Sequence, residues 1–83
     1  VGTDGFTVEH GLSSYFPEAA AVLKRMVEKA ERTVLVADSS KWGRTGFVTI
    51  TPIGSVGMLI TDTEFPDEGC RRLREAGLEV EVV

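Results

Sequence analysis

The chain has 83 residues, 42% of them hydrophobic and 27% charged, values that are ordinary for one folded domain and too apolar for a disordered chain. The net charge is −4 and the basic residues are scattered among acids, which excludes the basic stripe of a DNA-binding surface. No apolar run approaches a membrane helix, and the single Cys70 cannot form an internal disulfide. We therefore expect a cytoplasmic chain that binds neither membrane nor, by itself, DNA.

The first part of the chain predicts a strand end followed by a helix. Val1 and Gly2 lead into a glycine-rich turn, and we expect them to end a strand whose earlier residues are missing. Residues 17–31 form a predicted amphipathic helix, with Pro17 suited to its first position. Its apolar side is expected to contain Ala20, Leu23, Met26, Val27 and Ala30.

The remainder alternates strands with a second helix. The predicted strands are 33–37, 47–51, 58–61 and 78–82, and the predicted helix is 66–76, with Gly77 as its C-terminal cap and Cys70 on its buried side. The runs TVLVA and MLIT lack polar alternation, which is typical of parallel strands covered on both faces. This order favours an α/β fold with a mainly parallel sheet and helices packed on its faces.

Three polar segments are expected to meet at the carboxyl edge of that sheet, where α/β folds bind ligands. They are the turn around Asp4, the stretch from Asp38 to Lys41, and Asp62. Asp4 lies between Gly2 and Gly5, which allow close backbone approach to a ligand, although its carboxylate can equally stabilise its own turn.

The stretch from Asp38 to Lys41 combines a carboxylate, the hydroxyls of Ser39 and Ser40, and an ammonium, a set suited to a hydroxylated anion. A polar strand-to-loop transition explains the same residues. Lys41 is the sharper candidate, because a lone cation at a strand end can pair with phosphate, although a surface lysine is more often only solvated.

Signals for catalysis or for a cofactor are absent. His10 has no second metal ligand beside it, and the serines lack a GxSxG context. The segment from Gly43 to Gly46 matches neither phosphate-binding glycine motif. Trp42 can stack on a sugar, but an aromatic residue after a polar loop more often closes the core edge. We predict no catalytic residue, metal or cofactor.

Several motifs resemble the carboxyl-terminal sensor domain of DeoR-family transcription regulators. They are VADSSKWGRTGF at 36–47, Thr51-Pro52-Ile53, the stretch from Leu59 to Asp62, the opening Gly2-Thr3-Asp4-Gly5-Phe6, Gly11-Leu12-Ser13 and Pro17-Glu18. The resemblance implies an isomerase/CoA-transferase-like fold related to ribose-5-phosphate isomerase and glucosamine-6-phosphate deaminase. Residues 1–83 would then be part of one effector-binding domain, separate from a winged-helix DNA-binding domain that these residues do not contain.

The resemblance also implies the function. A phosphorylated sugar or sugar derivative would bind at Asp4, Gly5, Asp38, Ser39, Ser40 and Lys41, and would control DNA binding by the separate domain of a homo-oligomeric regulator. Asp4 matches the active-site aspartate of the isomerases, but Gly5 stands where they carry a second carboxylate, so we expect a binding site and not an enzyme. The alternatives are a sugar-phosphate isomerase or deaminase, and a module that mainly mediates oligomerisation.

Overall fold

Six short strands form two separate three-stranded sheets, one parallel and one antiparallel. The computed structural model describes all residues from 1 to 83. In chain order the elements are β1 (Gly5–Thr7), β2 (Gly11–Ser14), α1 (Pro17–Lys29), β3 (Val34–Val36), β4 (Val48–Thr51), β5 (Met58–Thr61), α2 (Asp67–Glu75) and β6 (Glu79–Val82). Short 3₁₀ turns cover Ser39–Lys41 and Ile53–Ser55. Neither α-helix has the length and apolar character needed to cross a membrane.

The parallel sheet has the order β3-β5-β6, which confirms an α/β fold containing a parallel sheet. Val1 extends it on the outer edge of β3. The Val1 amino group donates to the Val34 carbonyl at 2.8 Å, and the Val1 carbonyl accepts from the Val36 N–H at 2.9 Å. In a parallel pair of strands, one residue forms hydrogen bonds with two residues of the neighbouring strand that are two positions apart. Val1 therefore occupies the position of a further parallel strand beside β3.

The antiparallel sheet, with order β1-β2-β4, was not predicted from the sequence. β1 and β2 form a hairpin, and β4 pairs with β2, so the strand predicted at 47–51 lies outside the parallel sheet. Gly11 makes the pairing possible, because it has φ +70° and because a Cβ there would lie 2.1 Å from the Thr51 carbonyl oxygen. The strand β2 is rich in glycine and serine, which have low β-propensity, so the sequence did not indicate it as a strand.

The two helices pack against different sheets. α1 lies on β2 and β4, burying Ala20 and Val27. The expectation that Met26 and Ala30 belong to the buried side was wrong, because both are exposed. α2 packs beside β6 and buries Cys70 and Leu73.

Pro17 begins α1, and Gly77 follows α2 with φ +103°. These two residues mark the helix boundaries as the sequence predicted.

The buried face of the parallel sheet joins a single apolar core of 13 residues that also includes residues of the antiparallel sheet. Leu35 and Leu59 lie fully buried on this face. The opposite face of the same strands carries Val34, Met58 and Ile60, all half-buried, and Val36, which is 58% exposed. Within residues 1–83, the segments TVLVA and MLIT are therefore covered on one face of the sheet only. Their other face is apolar and remains exposed.

An aromatic cluster of Phe6, Trp42 and Phe65 connects the sheets to the loops. Phe6 is fully buried, with its ring centroid 5.4 Å from that of Trp42 and 6.1 Å from that of Phe65. Trp42 and Phe65 are 5.3 Å apart. Trp42 thus closes the edge of the core, which was the more ordinary of its two predicted roles.

Replacing Phe6 by alanine should destabilise the fold, because it removes a fully buried ring from the middle of this cluster. Large-to-small core changes of this kind cost about 3–5 kcal/mol. Phe47, which is 87% exposed, is the matched control, and Phe47→Ala should cost less than about 1 kcal/mol. Urea unfolding of the complete protein measures both. Equal losses for the two variants would show that the cluster does not organise the core.

Candidate functional site

The three polar segments predicted to converge do so at the carboxyl edge of the parallel sheet. Asp62 follows β5 and accepts hydrogen bonds from the Ser39 N–H at 3.1 Å and the Ser39 hydroxyl at 3.4 Å. Because Val1 runs parallel to β3, the chain reaches Asp4 at the same end of the sheet. The Lys41 ammonium lies near enough to Asp4 and Asp38 that its charge helps to lower the pKa of both carboxyls. We refer to these residues as the edge site.

Asp4 is held by the antiparallel sheet. Its Oδ2 accepts hydrogen bonds from the Ser14 hydroxyl at 2.8 Å and the Tyr15 N–H at 3.1 Å. The Tyr15 N–H is the largest cause of a lowered Asp4 pKa, followed by the Ser14 hydroxyl; burial opposes the shift, and the charge of Lys41 adds to it. The carboxylate is therefore ionised at neutral pH, and its Oδ1 has no partner within the protein.

Asp38 caps the 3₁₀ turn that carries the rest of its segment. Its Oδ1 accepts the Ser40 N–H at 2.8 Å and also the Ser40 hydroxyl. These two bonds are the main reasons why the Asp38 pKa is lowered, and the charges of Lys41 and Arg44 add to them. As with Asp4, one oxygen of the carboxylate, here Oδ2, has no partner within the protein.

Asp62 differs from these two carboxylates because both of its oxygens are used. Oδ2 holds Ser39, while Oδ1 accepts the Glu64 N–H at 3.0 Å. Asp62 therefore ties the loop after β3 to the loop after β5. The edge site thus combines one structural carboxylate with two that keep an oxygen for another partner.

Lys41 is the half-buried cation of the edge site. The ion pairs of the protein are formed by Arg32, Arg71 and Arg72, and Lys41 takes part in none of them. Arg44, three residues later, is exposed and also forms no ion pair. Two cations next to the two carboxylates are consequently free to meet an anion.

Gly5 is explained by packing. It is buried, and a Cβ at this position would lie 2.4 Å from the carbonyl oxygen and 2.7 Å from the carbonyl carbon of Arg44. Only a residue without a side chain allows the two backbones to approach so closely. The position next to Asp4 therefore cannot hold any side chain in this backbone arrangement. Whether Gly5 also contacts an effector stays a prediction.

Sequence reasoning missed the groups that orient Asp4. Ser14 is the last residue of the buried strand β2, which the sequence did not reveal as a strand, and Tyr15 follows it directly. The neighbouring Ser13 holds a different segment, since its hydroxyl accepts the N–H of Gly46 at 2.7 Å, in the loop after Arg44. The adjacent serines shortly after Gly11 were the sequence signal that could have indicated these hydrogen-bonding groups.

His10 is exposed and lies outside this site, and no group of three potential metal ligands occurs in the chain.

A shallow depression of about 190 Å³ adjoins the edge site on the open face of the parallel sheet. Asp38 and Asp62 border it, but its surface is almost entirely apolar and includes Val36 and Ile60. Thr61 also borders it, and the Thr61 hydroxyl is the buried side-chain polar group that has no hydrogen-bond partner.

An α/β domain with polar loops gathered at the carboxyl edge of its parallel sheet is the class that the structure defines. The profile of the DeoR C terminal sensor domain family matches residues 1–63, about three quarters of the chain. The chain therefore belongs to the DeoR family. This is a family of transcriptional regulators and not of enzymes.

Individual relatives agree with the family assignment. The chain is 37% identical over 79 residues to the uncharacterized HTH-type transcriptional regulator YulB of Bacillus subtilis, covering 95% of this chain and 31% of that protein. It is 36% identical over 80 residues to the HTH-type transcriptional regulator GlpR of Haloferax volcanii, covering 96% and 31%. With the HTH-type transcriptional repressor GlcR of Bacillus subtilis it shares 31% identity over 81 residues, again 96% and 31%. The chain thus spans about a third of the length of these relatives.

Gly5→Ala should destabilise the protein, since the added methyl group meets backbone atoms of Arg44 that cannot rotate away. Overpacking of this kind costs about 1–3 kcal/mol. Gly54→Ala serves as the control, because a Cβ there has no neighbour within 4 Å, and its stability should change by less than about 1 kcal/mol. Urea unfolding of the complete protein compares them. A neutral Gly5→Ala would show that the two backbones are not locked together.

The lowered Asp4 pKa makes stability depend on pH. A carboxyl group whose folded-state pKa lies below its unfolded value of 3.8 stabilises the fold above that value, and this contribution disappears as the pH falls through the folded-state pKa. Asp4→Asn should therefore be less stable than the wild type near neutral pH, with the difference shrinking at acid pH. Thermal unfolding between about pH 6 and pH 2 measures it. A difference that stays constant with pH would contradict the proposed hydrogen bonds.

Proposed function

We propose that this chain is the effector-binding part of a DeoR-type transcription regulator, and that a phosphorylated sugar or sugar derivative binds at the edge site. The observation that carries the proposal is the free cation Lys41 next to two ionised carboxylates that each keep one unpartnered oxygen. A phosphorylated sugar presents the two matching groups, an anion and a row of hydroxyls.

The phosphate is assigned to the cations. Lys41 acts as a point charge toward a phosphate oxygen, and Arg44, whose charge reaches Asp38, can reinforce it. Three carboxylates stand in the edge site, so a phosphate placed among them would be repelled. The phosphate therefore binds on the side of Lys41 and Arg44, away from Asp62.

The hydroxyls are assigned to the carboxylates. Sugar hydroxyls donate to the free Oδ1 of Asp4 and Oδ2 of Asp38, and hydrogen bonds to ionised acceptors are about twice as strong as neutral ones. Ser39 and Ser40 hold their hydroxyls toward Asp62 and Asp38, so these serines mainly fix the loop while their oxygens can still accept a bond.

The absence of a second carboxylate at Gly5 separates this site from one that moves protons. General acid-base isomerisation needs a positioned pair of proton-transfer groups, and the backbone of Arg44 fills the space that the second group would need. An effector would then be bound and released without being changed.

Effector binding would act on DNA binding by shifting a population. In the proposed regulator, a helix-turn-helix domain outside these residues binds DNA, the assembly is a homo-oligomer, and the protein works in the cytoplasm. An effector with equal affinity for the DNA-bound and released forms would change nothing, so the edge site must bind the effector more tightly in one of them.

Titration calorimetry of the complete protein against a panel of sugar phosphates and the same sugars without phosphate tests the proposal. At least one phosphorylated member should bind. Lys41→Met should weaken that binding about 10- to 100-fold, the range for a lost charge-assisted hydrogen bond. Lys24→Met removes an exposed lysine from α1, away from the edge site, and should leave binding unchanged. Binding by no sugar phosphate, or equal binding by Lys41→Met and wild type, would overturn the proposal.

A further inference from the structure

Two exposed aromatic side chains contact each other beside Asp4. The ring centroids of Tyr15 and Phe47 are 5.6 Å apart in an edge-to-face arrangement. Tyr15 is 40% exposed and Phe47 is 87% exposed, so no part of this chain covers the Phe47 ring. Exposed apolar groups that adjoin one another and are bordered by polar residues mark a binding surface. We refer to these two residues as the aromatic pair.

Backbone hydrogen bonds place the aromatic pair at the Asp4 side of the edge site. The Tyr15 N–H donates to Asp4 Oδ2 at 3.1 Å, so the Tyr15 side chain starts next to that carboxylate. Phe47 comes to the same place from the loop before β4. Gly46, directly before Phe47, donates its N–H to the Ser13 hydroxyl at 2.7 Å. Both rings therefore belong to segments that hydrogen bonds fix beside the edge site.

Close packing of these two segments keeps the rings together. Ser14 and Val48, the neighbours of the aromatic pair along the chain, are paired residues of β2 and β4. A Cβ at Gly46 would lie 2.6 Å from both the carbonyl carbon and the carbonyl oxygen of Ser14, so only glycine allows this approach. The backbones that carry the two rings are consequently held in place before any ligand binds, which lowers the entropic cost of stacking.

Given the effector binding proposed above, on which this step rests, we propose that the aromatic pair stacks on the ring of the bound sugar, so that the effector is recognised in its cyclic form. A cyclic sugar carries hydroxyl groups around its rim and C–H groups on its faces. The rim suits the free Oδ1 of Asp4, which accepts hydrogen bonds. The C–H groups suit an aromatic ring, because contact removes the apolar surface of both from water. An open-chain sugar phosphate has no such face.

The charged groups beside the aromatic pair select this occupant. Because Asp4 is ionised, a ligand that stacks on Tyr15 must present hydrogen-bond donors to it, and an anion there would be repelled. A wholly apolar ligand would leave the carboxylate without water or a partner, which is costly. The phosphate lies with Lys41 and Arg44. Since the Arg44 backbone packs against Gly5, directly after Asp4, the residues that carry the cation, the carboxylate and the aromatic ring adjoin one another.

Paired titrations of the complete protein test the stacking. The probes are glucose-6-phosphate, galactose-6-phosphate and ribose-5-phosphate, each compared with the alditol phosphate made by reducing it. Reduction keeps the phosphate and the carbon chain but removes the carbonyl group that closes the ring. At least one cyclic probe should bind more tightly than its reduced form. Phe47→Ala should weaken that cyclic probe about five- to tenfold and change its reduced form by less than about twofold.

Three further variants show whether the aromatic ring itself is responsible. Phe47→Tyr keeps a ring and should bind like wild type, whereas Phe47→Leu keeps only apolar bulk and should bind the cyclic probe more weakly. Phe16→Ala is the matched control, because Phe16 is also exposed, at 63%, but contacts no other ring. It should leave every probe unaffected.

The outcomes separate this stacking from the effector binding on which it rests. If Phe47→Ala binds the cyclic probe like wild type, or weakens cyclic and reduced probes equally, the stacking is disproved while sugar-phosphate binding at the edge site stands. The same holds if only reduced probes bind the wild type. If no probe of either kind binds, the stacking and the sugar-phosphate site both fail.

Discussion

The contact among Phe6, Trp42 and Phe65 is the constraint on which the arrangement of the edge site depends. Each polar segment is followed within three residues by one of these rings: Asp4 by Phe6, Lys41 by Trp42, and Asp62 by Phe65. Phe6 also joins the backbones, since its carbonyl accepts the Gly43 N–H at 2.9 Å. The three loops are thus anchored in one piece of core, and no loop can move without disturbing a buried ring. The packing of these rings therefore orders the site from the core side.

This anchoring explains why the polar groups are already oriented. Asp4 and Asp38 each receive two hydrogen bonds on one oxygen and keep the other free. Such groups lose little conformational entropy when a ligand arrives, so more of the contact energy appears as affinity. Asp62 contributes differently, since it spends both oxygens on keeping the two strand-end loops together.

Sequence patterns predicted the strands and helix ends whose conformation depends on residues that are close together in the chain. Continuous apolar runs found β3 and β5, and Pro17 and Gly77 marked the helix ends. The convergence of the polar segments followed from the rule that parallel strands end at one edge. The hairpin of β1 and β2 was missed because Gly11, Ser13 and Ser14 become strand residues through tertiary pairing with β4, which no local pattern announces.

The hydrogen-bond donors that orient the carboxylates of the edge site were harder to predict than its charged residues, again because tertiary pairing positions them. A charged residue is visible in the sequence, whereas the Ser14 hydroxyl and the Tyr15 N–H matter only because the hairpin brings them to Asp4. Likewise, the exposure of Met26 depends on how α1 is rotated against its sheet. Periodicity gives two candidate faces for such a helix, and packing decides between them.

The close approach of Gly5 to Arg44 also limits which mutational paths are open to this fold. A single nucleotide change can turn a glycine codon into one for aspartate or glutamate, and that would place a second acid beside Asp4. Here the first atom of the new side chain would strike the Arg44 backbone. The backbone after Trp42 would have to move first. No single substitution can therefore place a second acid beside Asp4 in this backbone arrangement.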